Sequence, residues 1–145
     1  MAKKLPIIIQ TIIFRIKEGK PQFLLLKRNE SRGGFWNTVN GTMEINENVI
    51  QCRKREVAEE TGIRYLSTWS DELYRFSFNY KGDPMIVIIF SAQARINQKI
   101  KINEEHTKYG WFDFNRAVEI LKFDDDKKGL TICYNSIKIN KKDEK

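Results

Sequence analysis

The sequence predicts an α+β domain, and three observations predict it. Apolar or alternating runs bounded by turn residues occur near the N-terminus and again from Tyr74 to Phe90. A central stretch carries helix-start and helix-stop residues, and two helical patterns close the chain. No internal repeat or low-complexity linker interrupts this order.

Each element has a local reason. Residues 6–16 and 23–27 are rich in Ile, Leu and Phe and flank Lys17-Glu18-Gly19-Lys20-Pro21, which predicts a hairpin. Asn46 or Glu47 begins a helix that runs through Thr61, with Gly62 placed where a left-handed residue ends it cheaply. Tyr74, Phe76, Phe78 and Tyr80 then alternate with polar residues, and Lys81-Gly82-Asp83-Pro84 turns the chain into the apolar run 85–90. That is a second hairpin. Residues 109–112 give one more strand, followed by helices over about 115–121 and 127–137.

The most informative segment reads Gly41, five residues, Glu47, seven residues, then Arg55-Glu56-Val57-Ala58-Glu59-Glu60-Thr61-Gly62-Ile63. Glu56, Glu59 and Glu60 stand at i, i+3 and i+4 of the helix, so three carboxylates share one face and repel one another. An arbitrary acidic helix face is most often simply solvated. Here the hard oxygen donors suit Mg2+ or Mn2+, which removes the repulsion. Arg55 lies four residues before Glu59, close enough to orient a carboxylate through its planar fork, with Glu47 as a second partner. Gly41 permits a tight turn that brings backbone near the metal.

This pattern resembles the Nudix box with every fixed position filled, a coincidence expected by chance on the order of 10^-9 per start point. The resemblance implies an α/β/α sandwich with a mixed sheet and metal-assisted hydrolysis of a phosphoanhydride. It further implies metal ligands at Glu56, Glu59, Glu60 and the Asn40 carbonyl. Phe23-Leu24-Leu25-Leu26-Lys27-Arg28 resembles the family's strand into the active site, and Glu104-Glu105-His106 through Trp111 its later Glu-His segment. From that segment Glu105 is expected as a fourth carboxylate ligand, with Glu104 as fallback. Glu56 or Glu105 serves as the general base, Glu56 being taken first. Lys27 and Arg28 are candidates for the phosphates. His106, the sole histidine, is read as a structural hydrogen-bonding residue, since no nucleophile pattern accompanies it.

Trp36-Asn37-Thr38-Val39-Asn40-Gly41 resembles the entry to the box in dATP pyrophosphohydrolases and dihydroneopterin triphosphate pyrophosphatases, with Trp36 as a substrate contact. That favours a nucleoside triphosphate cut to monophosphate and pyrophosphate. Tyr80 follows Ile63 at a distance where asymmetric dinucleoside tetraphosphate hydrolases carry a base-stacking tyrosine, although their usual Pro-Lys-Gly is replaced by Val39-Asn40-Gly41. Removal of pyrophosphate from RNA 5′ ends is a third reading, favoured by charge and by no motif. A non-catalytic nucleotide- or RNA-binding module is the fourth, disfavoured by the intact carboxylates.

At 145 residues and 17.2 kDa the chain is expected to be a single domain over 1–145, with the box at 41–63 and a mobile basic tail over about 138–145. Lys3 and Lys4 are expected to be a mobile end as well. A net charge of +7 favours polyanionic partners such as nucleotides. No leader pattern or membrane-length apolar run is read, so the expectation is a soluble cytoplasmic protein without a membrane partner. Cys52 and Cys133, without metal-ligand spacing, read as buried thiols, and the oligomeric state is not legible.

Overall fold

The structure, a computed structural model, describes residues 3–66 and 68–143, with side chains through residue 137. In chain order it runs β1 (Lys4–Lys17), β2 (Lys20–Arg28), a single 3-10 turn at Glu30–Arg32, β3 (Trp36–Asn37), β4 (Val39–Glu44) and α1 (Val49–Thr61). It continues through β5 (Thr68–Trp69), β6 (Tyr74–Tyr80), β7 (Asp83–Gln93), β8 (His106–Phe112), α2 (Phe114–Ile120) and α3 (Asp124–Asp143).

Both expected hairpins form, and their turns explain their register. Glu18 and Gly19 have φ of 52° and 79°, and Lys81 and Gly82 have 51° and 87°, the paired left-handed conformation that matches strand twist. Phe14 therefore faces Phe23 across the first hairpin, and Tyr74 faces Ile89 across the second. β1 pairs parallel with β7 and antiparallel with β2 and β4, so the sheet is mixed.

Period-two alternation gives the sheet two apolar faces. Ile12, Phe14, Phe23, Leu25 and Ile89 meet Ala117, Leu121, Leu130 and Cys133 of α2 and α3. Ile13, Leu24, Leu26 and Ala92 on the other face meet Val57 of α1 with Ile63 and Leu66 beyond it. The result is the expected α/β/α sandwich. Both thiols are buried, and burial pushes each up to about 12.

Several boundaries differ from the sequence reading. α1 begins at Val49 rather than at Asn46 or Glu47, because the Asn48 side chain caps it and exchanges a reciprocal pair of bonds with Gln51. Glu47 instead folds back, accepting from the Glu44 backbone N–H at 3.1 Å. Lys4 belongs to β1, opposite Glu44, and the Lys3 carbonyl accepts from Ile45 N–H, so these residues are paired backbone and not a loose end. α3 starts at Asp124, where Asp124, Asp125 and Asp126 complement the positive end of the helix dipole. Its backbone stays helical through Asp143, which replaces most of the expected tail; the last two residues of that tail, and the side chains of all of it, lie outside the described residues.

Candidate metal centre and active site

α1 lies across β4 so that one helix face meets the strand at its glycine. A Cβ at Gly41 would collide with the carboxylate of Glu56, which explains why this strand position is glycine although its φ is ordinary. Asn40, just before it, is opposite Gln10 in β1, and its side chain is spent donating to the Thr38 carbonyl at 3.2 Å.

Arg55 organises the acids around it. Its Nε and Nη2 donate to the two carboxylate oxygens of Glu47 at 2.6 and 2.8 Å, a fork-to-fork pair. Its Nη1 donates to Glu56 Oε1 at 2.6 Å and reaches Glu59 Oε2 at 3.4 Å. The hydrogen bonds from Arg55 hold the Glu47 carboxyl down at about 2, and these acids hold the Arg55 cation above its usual range. One guanidinium thus fixes both the turn before α1 and the first acid on its face.

From Glu56 the network continues inward. Glu56 and Glu60 are neighbouring carboxyls one turn apart on α1, and burial pushes both above the ordinary carboxylate range. Their mutual repulsion and Glu105 add to the effect on Glu60. Glu60 Oε1 lies 3.6 Å from His106 Nε2, with both side chains only 3% exposed. Glu60, Glu105 and His106 each offer a ligand atom within 4.8 Å of the others. Asn29 supports this loop: its backbone N–H donates to the Glu105 carbonyl at 3.0 Å and its side chain to the Glu104 carbonyl at 2.8 Å. Arg32 Nη2 stands 3.7 Å from Glu105 Oε1.

The donor set fits a hard divalent cation. Glu60 Oε2 and His106 Nδ1 are buried and have no hydrogen-bond partner, a costly arrangement for polar atoms unless another group meets them. Burial also holds His106 below its usual range, leaving the imidazole neutral. Of the acids expected at the centre, Glu56, Glu60 and Glu105 are drawn together, whereas Glu59 has a half-exposed side chain and only the long contact to Arg55.

The remaining candidates divide. Arg28 stands on the sheet face that carries Leu24 and Leu26, and its charge acts on both Glu60 and His106. Lys27 alternates to the face of Leu25, away from α1. Trp36 packs edge-on against Phe112 at 5.3 Å and bridges to Leu121, so its ring belongs largely to the core beneath α2 and α3. Tyr80 is at a hairpin tip beside Lys81. Register places Gln10, Ile89 and Tyr74 level with Asn40, and Tyr80 six residues further along β6, about 20 Å away. Trp36 and Tyr80 are therefore not brought to the carboxylates.

Two contributors escaped the sequence reading. His106 is expected to make a structural hydrogen bond, yet its Nδ1 has none and its Nε2 lies 3.6 Å from Glu60. Asn29 belongs to no motif in the sequence, although an Asn one residue past a strand end is a common loop clamp.

A family model described as NUDIX domain matches residues 8–131. The chain belongs to the Nudix family. Among its relatives, the asymmetrical bis(5′-nucleosyl)-tetraphosphatase of Mus musculus is 30% identical over 112 residues, which are 75% of this chain and 76% of the mouse protein. The nucleoside triphosphatase NudI of Escherichia coli (strain SE11) is 29% identical over 114 residues, 70% of this chain and 80% of NudI. An octanoyltransferase of Myxococcus xanthus is 28% identical over 79% of this chain, which spans only 34% of that protein. Solved structures agree on the fold: an Ap4A hydrolase of C. elegans has a TM-score of 0.79 at 20% identity, covering 90% of this chain and 96% of that one. The E. coli dihydroneopterin triphosphate pyrophosphohydrolase has a TM-score of 0.75 at 24% identity, covering 90% and 95%.

The chain is thus a Nudix hydrolase, of a family that cleaves phosphoanhydride bonds and generally uses a divalent metal, and the two relatives first named act on nucleotides. No helix among the described residues is long and apolar enough to cross a membrane.

Proposed function

We propose that this Nudix hydrolase cleaves a nucleoside triphosphate to monophosphate and pyrophosphate, with Mg2+, or Mn2+ in its place, held by Glu56, Glu60 and Glu105. The observation that carries the proposal is buried Glu60, with its orphaned Oε2, set beside Glu56 on the helix and within ligand distance of the partly exposed Glu105. A bound divalent cation supplies charge neutralisation and polarisation of the phosphoanhydride. Around it the protein's own groups divide the labour. Arg55, anchored by Glu47, holds Glu56 in one orientation, and Glu56 accepts the proton of the attacking water, with Glu105 as the second candidate base. Arg28 faces the same centre and suits a phosphate oxygen. Glu59 and the Asn40 carbonyl complete the ligand set on the strength of their places in the box. Lys27 is the weaker phosphate contact, since it lies on the other face.

Support for the triphosphate comes from the residues 36–41 entry and from the activity named for NudI. The alternative, asymmetric dinucleoside tetraphosphate hydrolysis, is favoured by the mouse relative at 30% identity. Tyr80 lends it little, being about 20 Å along the sheet from the carboxylates.

The two readings differ in their products. With a panel of nucleoside triphosphates, dihydroneopterin triphosphate and Ap4A, the expected early products are a monophosphate and pyrophosphate, with little free orthophosphate. Efficient cleavage of Ap4A alongside poor cleavage of every triphosphate would replace this reading with the alternative.

A further inference from the structure

A second site lies where the chain leaves α1 and returns to the sheet. Arg64, Tyr65 and Leu66 face Gln93, Arg95 and Gln98 across a small cleft of about 270 Å³ beside the β5 and β7 pairing. β7 and β1 separate it laterally from β2 and β4, whose residues Arg28 and Asn40 belong to the carboxylate centre.

The cleft is cationic for a reason visible in the sequence. The two segments that build it, residues 62–70 and 84–103, contain no Asp or Glu and carry Arg64, Arg95, Lys99 and Lys101. Among the described residues, neither Arg64 nor Arg95 forms an ion pair, whereas Arg55, Arg75 and Arg116 all have acidic partners. Tyr65 is 74% exposed, the highest value among the described large hydrophobic residues, although a tyrosine in a fold this size usually finds cover. It therefore presents an open ring face next to two planar guanidinium groups. Gln93 and Gln98 add amide donors and acceptors, and exposed Arg95, Lys99 and Lys101 extend the charge along the loop.

Arginine forks select phosphate oxygens, and an exposed ring beside them selects a flat base. The absence of acids disfavours a cation, and a cleft this size holds about one nucleotide. One nucleotide in so open a site buries little surface, while the basic loop continues beyond it. We propose that this cleft binds single-stranded nucleic acid, seating a phosphodiester between Arg64 and Arg95 and stacking a base on Tyr65. The site is independent of the carboxylate centre and stands or falls separately from the triphosphate reading.

The test is fluorescence anisotropy with a 3′-fluorescein oligouridylate bearing a 5′-hydroxyl, in EDTA, so that no phosphoanhydride or metal ion engages the carboxylates. The full chain should bind saturably, with affinity falling as salt rises. Arg64→Ala/Arg95→Ala should weaken binding about tenfold or more, and Tyr65→Ala roughly fivefold. Glu60→Gln should leave it within about twofold, and the arginine double variant should keep the melting temperature of the unaltered chain, showing that it is folded. The proposal is overturned if the unaltered chain shows no saturable binding or if the double variant binds within about twofold of it. It is equally overturned if uridine monophosphate competes as strongly as the oligomer, because the site then takes a free phosphate and not a strand.

Discussion

Glu60→Gln should abolish most turnover and, without metal, make the protein more stable. The side chain is 3% exposed, and its carboxyl is pushed above the ordinary range by burial, by Glu56 and by Glu105. An acid whose folded pKa is raised retains its proton where the unfolded chain has lost it, so its stabilisation is present below about pH 4.5 and is lost as pH rises towards the folded value. The amide keeps the volume and removes that penalty. Metal-free melting at pH 8 should therefore rise in the variant, while hydrolysis at saturating Mg2+ falls by about 10^2-fold or more. A variant with near-normal rate would remove Glu60 from the centre. One with normal rate loss but lower metal-free stability would mean that the charge is already compensated within the protein.

Gly41→Ala should be nearly as damaging, for a steric reason. Its methyl group would occupy the place of the Glu56 carboxylate, so either β4 or α1 must shift. Overpacking of this kind costs about 1–3 kcal/mol, and displacing a ligand by roughly 1 Å costs about 10^2-fold in rate. Adding Glu56→Ala to Gly41→Ala separates the two effects: stability should recover as the collision disappears, and activity should not. If Gly41→Ala alone melts and hydrolyses like the unaltered protein, the close approach of strand and carboxylate is wrong.

The site was legible where chemistry is local and obscure where it depends on which strands meet. Helix spacing alone puts Glu56 and Glu60 on one face, and the position of Arg55 announces its pairing with Glu47. The hairpins follow from alternation and from Glu18-Gly19 and Lys81-Gly82. β4 has no such signal: Val39 to Glu44 carries polar residues and a glycine, and its partners in β1 lie 28 to 40 residues away in sequence. Lys3 and Lys4 read as a tail because their partners, Ile45 and Glu44, lie 42 and 40 residues away in sequence. Lys27 and Arg28 are equivalent as a pair of cations in sequence, and only the identity of the face covered by α1 separates them. Tyr80 stands away from the carboxylates for the same reason, since counting from Ile63 says nothing about how far a hairpin projects. His106 needed the β8 register, which sets it opposite Arg28 and beside Glu60.

The central claim is that the buried acids are held together by a divalent cation in the working enzyme. Melting temperature measured with and without Mg2+, at matched ionic strength from pH 5 to pH 8, tests it most directly. Asp126, raised by burial to about 6, gives a slope of the same sign between about pH 4 and 6, so the informative quantity is the difference between the two curves. The account predicts that metal-free stability falls as pH rises, that Mg2+ opposes the fall increasingly towards pH 8, and that Glu56→Gln shrinks the difference. An Mg2+ curve that coincides with the metal-free curve throughout, in the unaltered protein, would contradict it.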